Sequence, residues 1–111
     1  MDGSLAFGTM ISEVTTTELR DALSAGARLI DVREADEYAE AHIAGAELMP
    51  LSALADSVGS IGAGPVFVIC KSGGRSAMAC EFMASMGIEA TNVAGGMMSW
   101  LHLGFEAEFA Q

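Results

Sequence analysis

The chain is 111 residues long, and its composition and charge exclude several classes of protein. Hydrophobic residues make up 51 % and charged residues 18 %, which excludes an intrinsically disordered chain. Fifteen acidic residues against five basic ones give a net charge of −10, so binding to nucleic acid or to an anionic membrane is not expected. No apolar run approaches the ~18 residues that span a bilayer.

One domain is expected, because domains usually contain ~100–200 residues. We predict a single domain over residues 1–111, with its core at about 12–105 and a flexible segment at 1–9. The two cysteines, Cys70 and Cys80, match neither a zinc-binding pattern nor a disulfide-rich scaffold. The first residues lack the positively charged region of a signal peptide. These features predict a cytoplasmic protein.

The predicted elements alternate between strands and helices. A short strand near residues 10–14 is followed by a helix that begins with a capping box at Thr15 and Glu18 and ends at Gly26. Further strands are predicted at 27–32, 46–49, 66–69 and 89–93, and further helices at 35–41, 51–58, 75–86 and 96–103. The run at 27–32 is mostly aliphatic and does not alternate with polar residues, which is typical of a strand covered on both faces. We therefore predict an α/β domain in which a parallel sheet is flanked by helices on both faces.

The polar turn after the strand at 66–69 contains the residues with the clearest chemical potential. Cys70 ends the strand, at the sheet edge where ligands bind in open α/β folds. Gly73 and Gly74 allow successive backbone amides to point into one concavity, and the next helix adds its unpaired first-turn amides. Lys71 and Arg75 add positive charges. All of these groups favour a negatively charged sulfur.

A reactive cysteine needs a lowered pKa. An ordinary thiol titrates near ~8.5 and is only a few per cent ionised at neutral pH. A decrease of two units corresponds to ~2.7 kcal/mol and makes the thiolate the major species at pH 7. The alternative is that Cys70 is a small hydrophobic residue that closes the strand, but the glycine-rich turn favours the reactive thiolate. Cys80 lies ~9 Å along the following helix, so we predict that it packs in the core rather than serving as a resolving thiol.

Several short blocks follow one another in a defined order along the chain. They are LIDVRE at 29–34, EY at 37–38, HIAGA at 42–46 leading to Pro50, CKSGGRS at 70–76, Gly87 with NV at 92–93, and GG at 95–96 with Trp100. In this order they resemble the rhodanese-like sulfurtransferase domain, over roughly residues 12–105. The resemblance implies a five-stranded parallel sheet flanked by helices and a cysteine that carries a persulfide.

The resemblance also implies a mechanism. The Cys70 thiolate would attack the outer sulfur of a small donor such as thiosulfate and release sulfite. The persulfide would then pass its sulfur to cyanide or to a cellular thiol, with no cofactor or metal and with a protein as another possible donor or acceptor. The backbone amides of the turn would hold the anionic sulfur, the two basic side chains would attract the donor, and Ser76 would cap the helix or line the pocket. The implied site comprises catalytic Cys70 and Arg75 and substrate-binding Lys71, Ser72, Gly73, Gly74 and Ser76.

Asp31 and Arg33 follow another strand at the same sheet edge. They either support the rim of the active site or form a structural pair, in which Asp31 accepts backbone amides and Arg33 binds a carboxylate such as that of Glu37. The structural alternative is favoured, as is a structural hydrogen bond for His42. The methionines are expected to fill the core, and one buried helical face is predicted to contain Phe82, Met83 and Met86.

Two alternative functions follow from the same turn. Related cell-cycle phosphatases and arsenate reductases have a loop one residue longer than the Cys70–Arg75 spacing, so the resemblance favours the sulfur-carrying branch. A non-catalytic rhodanese-like module that binds or regulates a partner is the other alternative, and the presence of Cys70 counts against it. The acidic surface suits a basic partner protein.

Overall fold

The computed structural model describes residues 11–110, and its central feature is a five-stranded parallel sheet. The strand order is β1-β6-β5-β2-β4, and every neighbouring pair is parallel. In chain order the elements are β1 (Ser12–Val14), α1 (Thr16–Ser24), β2 (Leu29–Asp31), α2 (Ala35–Glu40), β3 (Ala41–His42), β4 (Glu47–Leu48), α3 (Leu54–Ser57), β5 (Val66–Ile69), α4 (Gly74–Ser85), β6 (Ala90–Val93), α5 (Gly96–His102) and β7 (Glu108–Phe109). The flexible segment predicted at 1–9 lies outside the described residues.

Successive side chains of the central strands point to opposite faces of the sheet, and each face supports its own core. On one face, Val66 and Val68 of β5 pack with residues of α3 and α4. On the other face, Ile69 packs with Leu19 of α1 and Met97 of α5. The predicted α/β architecture, a five-stranded parallel sheet with helices on both faces, is therefore confirmed.

A second, two-stranded sheet was not predicted. Strands β3 and β7 pair antiparallel, with Ala41 opposite Phe109 and His42 opposite Glu108. His42 donates from Nδ1 to the Tyr38 carbonyl at 2.8 Å, and its Nε2 lies 2.9 Å from Glu108 Oε1. These contacts agree with the structural role predicted for His42. They also attach residues beyond position 105 to the domain.

One predicted helix differs from the structure in its geometry. The capping box at Thr15 and Glu18 is present, but the helix predicted at 51–58 is divided into a 3₁₀ turn, one turn of α-helix and a second 3₁₀ turn. The Ser57 hydroxyl donates to the carbonyls of Ala53 and Leu54, a contact that competes with regular helix geometry. Within residues 11–110, no helix is long and apolar enough to cross a membrane.

The predicted buried face of α4 is wrong. Met83 is buried, but Met86 is 57 % exposed and Phe82 is 36 % exposed. The face that meets the sheet instead carries Met83 together with Ala79 and Cys80, which recur at helical spacing. Hydrophobic residues alone do not identify which face of α4 is buried, because its buried face and its exposed face both contain large hydrophobic side chains.

Candidate active site

The loop between β5 and α4 bends back over the end of its own strand. Gly73 is the N-terminal cap of α4 and has a φ of 112°, a conformation that L side chains rarely adopt. This conformation turns the Gly73 amide toward Cys70, whose Sγ accepts its hydrogen bond at 3.1 Å. The helix begins at Gly74, one residue before the predicted start. The glycine turn therefore places a backbone donor directly on the cysteine sulfur.

Ser76 supplies a second donor to the same sulfur. Its fully buried hydroxyl lies 3.3 Å from Cys70 Sγ and 3.2 Å from the Gly73 carbonyl oxygen. Burial raises the pKa of the Cys70 thiol, whereas hydrogen bonds from the Ser76 hydroxyl and from the amides of Ser76, Gly73 and Ser72 lower it. The net effect is a pKa below that of an ordinary thiol. The site thus stabilises negative charge on sulfur.

Cys70 lies at a boundary between apolar and polar surroundings. The residue is 1 % exposed and contributes to the core between the sheet and α4. Above it, the loop residues Lys71, Ser72 and Gly74 are exposed. The buried sulfur is therefore adjacent to an exposed loop.

The start of α5 fixes the backbone of the loop from behind. The Met97 amide donates to the Cys70 carbonyl and the Met98 amide donates to the Lys71 carbonyl, each at 2.9 Å. A Cβ on Gly96 would overlap these two carbonyl groups, so only glycine permits this approach. The sequence showed this glycine only as part of a family block. Its support of the active-site loop depends on contacts distant in sequence and was missed.

Arg75 is held by a carboxylate. Its guanidinium forms two parallel hydrogen bonds with Glu37, at 2.7 and 2.8 Å. The bond to Arg75 lowers the pKa of Glu37 to about 2, despite partial burial. Hydrogen bonding to Glu37 raises the pKa of Arg75, and the Cys70 charge adds a smaller increase. Arg75 thus lies in the electrostatic field of the sulfur, but its charge is already matched by Glu37.

Arg33 binds a carboxylate, as predicted, but it is the carboxylate of Asp31 and not that of Glu37, which was given as the example. The Arg33 guanidinium makes short contacts with both carboxylate oxygens of Asp31, 3.0 Å from Nε to Oδ1 and 2.8 Å from Nη2 to Oδ2. Asp31 also accepts the Arg33 amide, as predicted. The guanidinium donates further to the carbonyls of Glu37 and Ala41. The pair connects the end of β2 to α2, which leaves the Glu37 side chain to Arg75.

Asn92 is a buried neighbour of the loop that the sequence analysis did not assign to the site. Its side-chain amide donates to Glu13 at 2.9 Å and to the Gly73 carbonyl at 3.3 Å. Within the described residues, Asn92 Oδ1 has no hydrogen-bond partner. The residue therefore links β1, β6 and the loop. An asparagine at the end of the last strand of the sheet, within the block at 92–93, was the available signal.

The second cysteine packs in the core. Cys80 is fully buried, and burial raises its pKa to about 12. Both cysteines are free thiols, so no disulfide joins them. Among residues 11–110, no group of three or more His, Cys, Asp and Glu side chains is arranged to hold a metal ion. Cys70 is therefore the cysteine whose surroundings favour reaction.

Comparisons with known proteins agree with this geometry. The profile of the rhodanese-like domain matches residues 15–103. The chain is 34 % identical over 93 residues to "Putative sulfurtransferase YtwF" of Bacillus subtilis, covering 81 % of this chain and 90 % of that protein. A rhodanese-like domain protein from Staphylococcus aureus superposes with a TM-score of 0.81 at 32 % identity, covering 91 % of this chain and 100 % of that one. Thiosulfate sulfurtransferase from Pseudomonas aeruginosa gives 0.79 at 25 % identity, covering 91 % of this chain and 21 % of that one. The chain belongs to the rhodanese-like domain family.

Proposed function

We propose that this protein is a sulfurtransferase that moves a sulfane sulfur from a donor such as thiosulfate to a thiophilic acceptor through a persulfide on Cys70. One observation carries the proposal: the Cys70 sulfur accepts hydrogen bonds from the Gly73 amide and the Ser76 hydroxyl, at 3.1 and 3.3 Å. These donors favour the thiolate, which is the reactive form of cysteine. The names of the relatives support sulfur as the group transferred.

The first half-reaction loads the cysteine. The Cys70 thiolate forms a bond to the outer sulfur of thiosulfate, the sulfur–sulfur bond of thiosulfate breaks, and its electron pair leaves with sulfite. The negative charge passes from the cysteine sulfur to the outer sulfur of the new persulfide. Donors that already point at this position stabilise that charge without reorganising during the reaction. The covalent persulfide is the only carrier that the proposal requires.

The second half-reaction removes the outer sulfur from the Cys70 persulfide. Cyanide attacks the outer sulfur, the bond between the two persulfide sulfurs breaks, and Cys70 leaves as a thiolate while thiocyanate is released. A low pKa makes Cys70 a better leaving group, so the same hydrogen bonds assist both steps. Arg75, paired with Glu37, contributes a fixed positive group near the sulfur rather than a mobile cation.

A non-catalytic role is the second candidate, because Cys70 is only 1 % exposed. Thiocyanate formation from thiosulfate and cyanide separates the two. We expect activity in the unaltered protein and in Cys80→Ala, and none in Cys70→Ser. Absence of thiocyanate with every donor tried would favour the binding module. Hydrolysis of an aryl phosphate, lost in Cys70→Ser, would instead favour the phosphatase alternative.

A further inference from the structure

The cations near Cys70 offer little attraction for a highly charged anion. Arg75 is paired with Glu37, and Arg33 is paired with Asp31. Lys71 is exposed, and no carboxylate between residues 11 and 110 lies within 4.0 Å of it. The chain as a whole carries a net charge of −10. A small dianion therefore meets an unfavourable long-range field and, within the described part of the chain, a single lysine without a carboxylate partner beside the loop.

An apolar groove begins beside Lys71. It has a volume of about 360 Å³, and Met98, Leu101 and Phe109 line it. These side chains are 57 %, 38 % and 61 % exposed, respectively. They are three of the seven large hydrophobic side chains that are exposed in residues 11–110. We call this feature the Met98 groove. It is far larger than a small sulfur oxyanion requires and is suited to apolar side chains.

The charge around the Met98 groove indicates what occupies it. The charged residues that line the groove are Arg33, Glu37, Glu40 and Lys71, and the first two are held in ion pairs. Glu34 and Asp36 are exposed at the start of the neighbouring helix α2, so together with Glu40 the negative charges outnumber the positive charge of Lys71. An anionic membrane or a second copy of this acidic chain would be repelled. A protein with basic residues around an apolar side chain would be attracted over a long range and would then bury its apolar group.

We propose that the Met98 groove docks a basic partner protein, which presents an acceptor cysteine beside an apolar residue. The acceptor role rests on the proposed sulfurtransferase function. The partner's thiol sulfur forms a bond to the outer sulfur of the anionic Cys70 persulfide, and the bond from that sulfur to Cys70 Sγ breaks. Its electron pair stays on Cys70 as a thiolate, and the proton of the partner's thiol moves to the transferred sulfur. No external oxidant or reductant is needed.

Binding is tested first, with the full chain and without sulfur chemistry. The probes are two fluorescently labelled peptides with a central Leu-Ser pair, one flanked by lysines and the other by glutamates. We expect the basic peptide to bind at least about tenfold more tightly at low salt, and we expect this preference to decrease as salt is raised. Equal affinities, or tighter binding of the acidic peptide, would overturn the docking proposal.

A pair of matched variants localises the binding. Met98→Gln and Met86→Gln make the same change at methionines that are each 57 % exposed, but only Met98 lines the groove. Met98→Gln is expected to weaken binding of the basic peptide about three- to tenfold, the cost of one apolar contact at an interface. Met86→Gln is expected to leave it unchanged. Equal effects of the two variants would contradict the assignment of the groove.

Transfer is tested second, with the central serine of each peptide replaced by cysteine. After loading with thiosulfate, the rate at which sulfur appears on the peptide is measured by mass spectrometry. We expect the basic peptide to accept sulfur faster, by about the same factor by which it binds more tightly. If the basic peptide binds more tightly but accepts no sulfur, the partner is not a sulfur acceptor, and only the docking part of the proposal stands. Absence of loading would contradict the proposed function and not the docking proposal.

Discussion

Replacement of Ser76 by alanine tests whether the loop stabilises the Cys70 thiolate. Ser76 is fully buried, and its hydroxyl lies 3.3 Å from Cys70 Sγ and is the side-chain donor among the hydrogen bonds that lower the pKa of the thiol. Alanine removes this donor and keeps the backbone amides in place. We therefore expect the pKa of Cys70 to rise toward that of an ordinary thiol.

The size of the shift follows from the contacts of the hydroxyl. A hydrogen bond to a charged group contributes ~1.5–3 kcal/mol. The Ser76 hydroxyl is also 3.2 Å from the Gly73 carbonyl oxygen, so its proton is shared between two acceptors. The lower value, ~1.5 kcal/mol, corresponds to an increase of ~1 pKa unit. The Gly73 amide remains on the sulfur, so a complete return to the pKa of a free thiol is not expected.

The assay is the pH dependence of Cys70 alkylation by iodoacetamide, followed by intact mass. The midpoint of the profile reports the pKa, while the plateau reports access through the loop. A titration of thiolate absorbance in the ultraviolet provides a second midpoint that does not depend on access. Cys80 does not interfere at neutral pH, because burial raises its pKa to about 12.

The control is Ser85→Ala on the same helix. The Ser85 hydroxyl donates to the Phe82 carbonyl at 2.6 Å, is exposed and lies far from the loop. We expect no change in the Cys70 midpoint for this variant. An unchanged midpoint in Ser76→Ala, or an equal shift in both variants, would refute the argument that the hydroxyl stabilises the thiolate.

Three further predictions concern the surroundings of the loop. Arg75 lowers the pKa of Glu37 to about 2, so the ionised Glu37 contributes fully to the free energy of unfolding above its unfolded pKa near 4.5, and this contribution is lost as the pH falls through about 2. Glu37→Gln should therefore lower the free energy of unfolding, measured in urea, by about 1 kcal/mol at neutral pH, after allowance for solvent screening. Near pH 2 the same variant should cost little. Gly96→Ala should prevent sulfur loading, measured by mass, because Gly96 has a φ of 55° and a Cβ there would lie 2.7 Å from the Lys71 carbonyl oxygen. Its control is Gly87→Ala, which should load normally, because Gly87 has a similar φ of 79° but open space around it. Cys80→Ala should load normally and lose about 1 kcal/mol in thermal unfolding, the order of cost for a small buried deletion.

Each of these predictions has an outcome that contradicts it. A constant cost of Glu37→Gln from neutral to acidic pH would show that the ion pair with Arg75 contributes nothing pH-dependent. Equal loading of Gly96→Ala and Gly87→Ala would show that the close approach of α5 does not position the loop. Loss of loading in Cys80→Ala would indicate that the buried thiol takes part in the reaction.

The central sheet was predictable from local sequence. Its central strands β2 and β5 are short, mainly apolar runs, and glycines or capping residues separate strands from helices, as at Thr15 and Gly26. The pairing of β3 with β7 was not predictable, because two-residue strands have no detectable period and are joined by a contact between His42 and Glu108, far apart in sequence. Local sequence patterns thus predict the longer strands and helices, whereas the two-residue strands form only because of contacts with residues distant in sequence.

The candidate site was predictable in its residues and less so in its contacts. Cys70 and Gly73 are adjacent in one loop, so their hydrogen bond follows from the turn itself. The partner of Arg75 comes from α2, 38 positions away, and which of two arginines binds Glu37 is decided by how α2 packs against the loop. The preference of Arg33 for Asp31, two residues before it, reflects burial that the sequence does not reveal.

The most direct test of the central claim is to locate the transferred sulfur. The purified protein is incubated with thiosulfate, its intact mass is measured, and the modified peptide is identified before and after cyanide treatment. The proposed mechanism predicts a gain of one sulfur atom on the peptide that contains Cys70, complete removal by cyanide, and no gain in Cys70→Ser. A stable sulfur on Cys80, or an unchanged mass with thiosulfate and with persulfide donors, would contradict it.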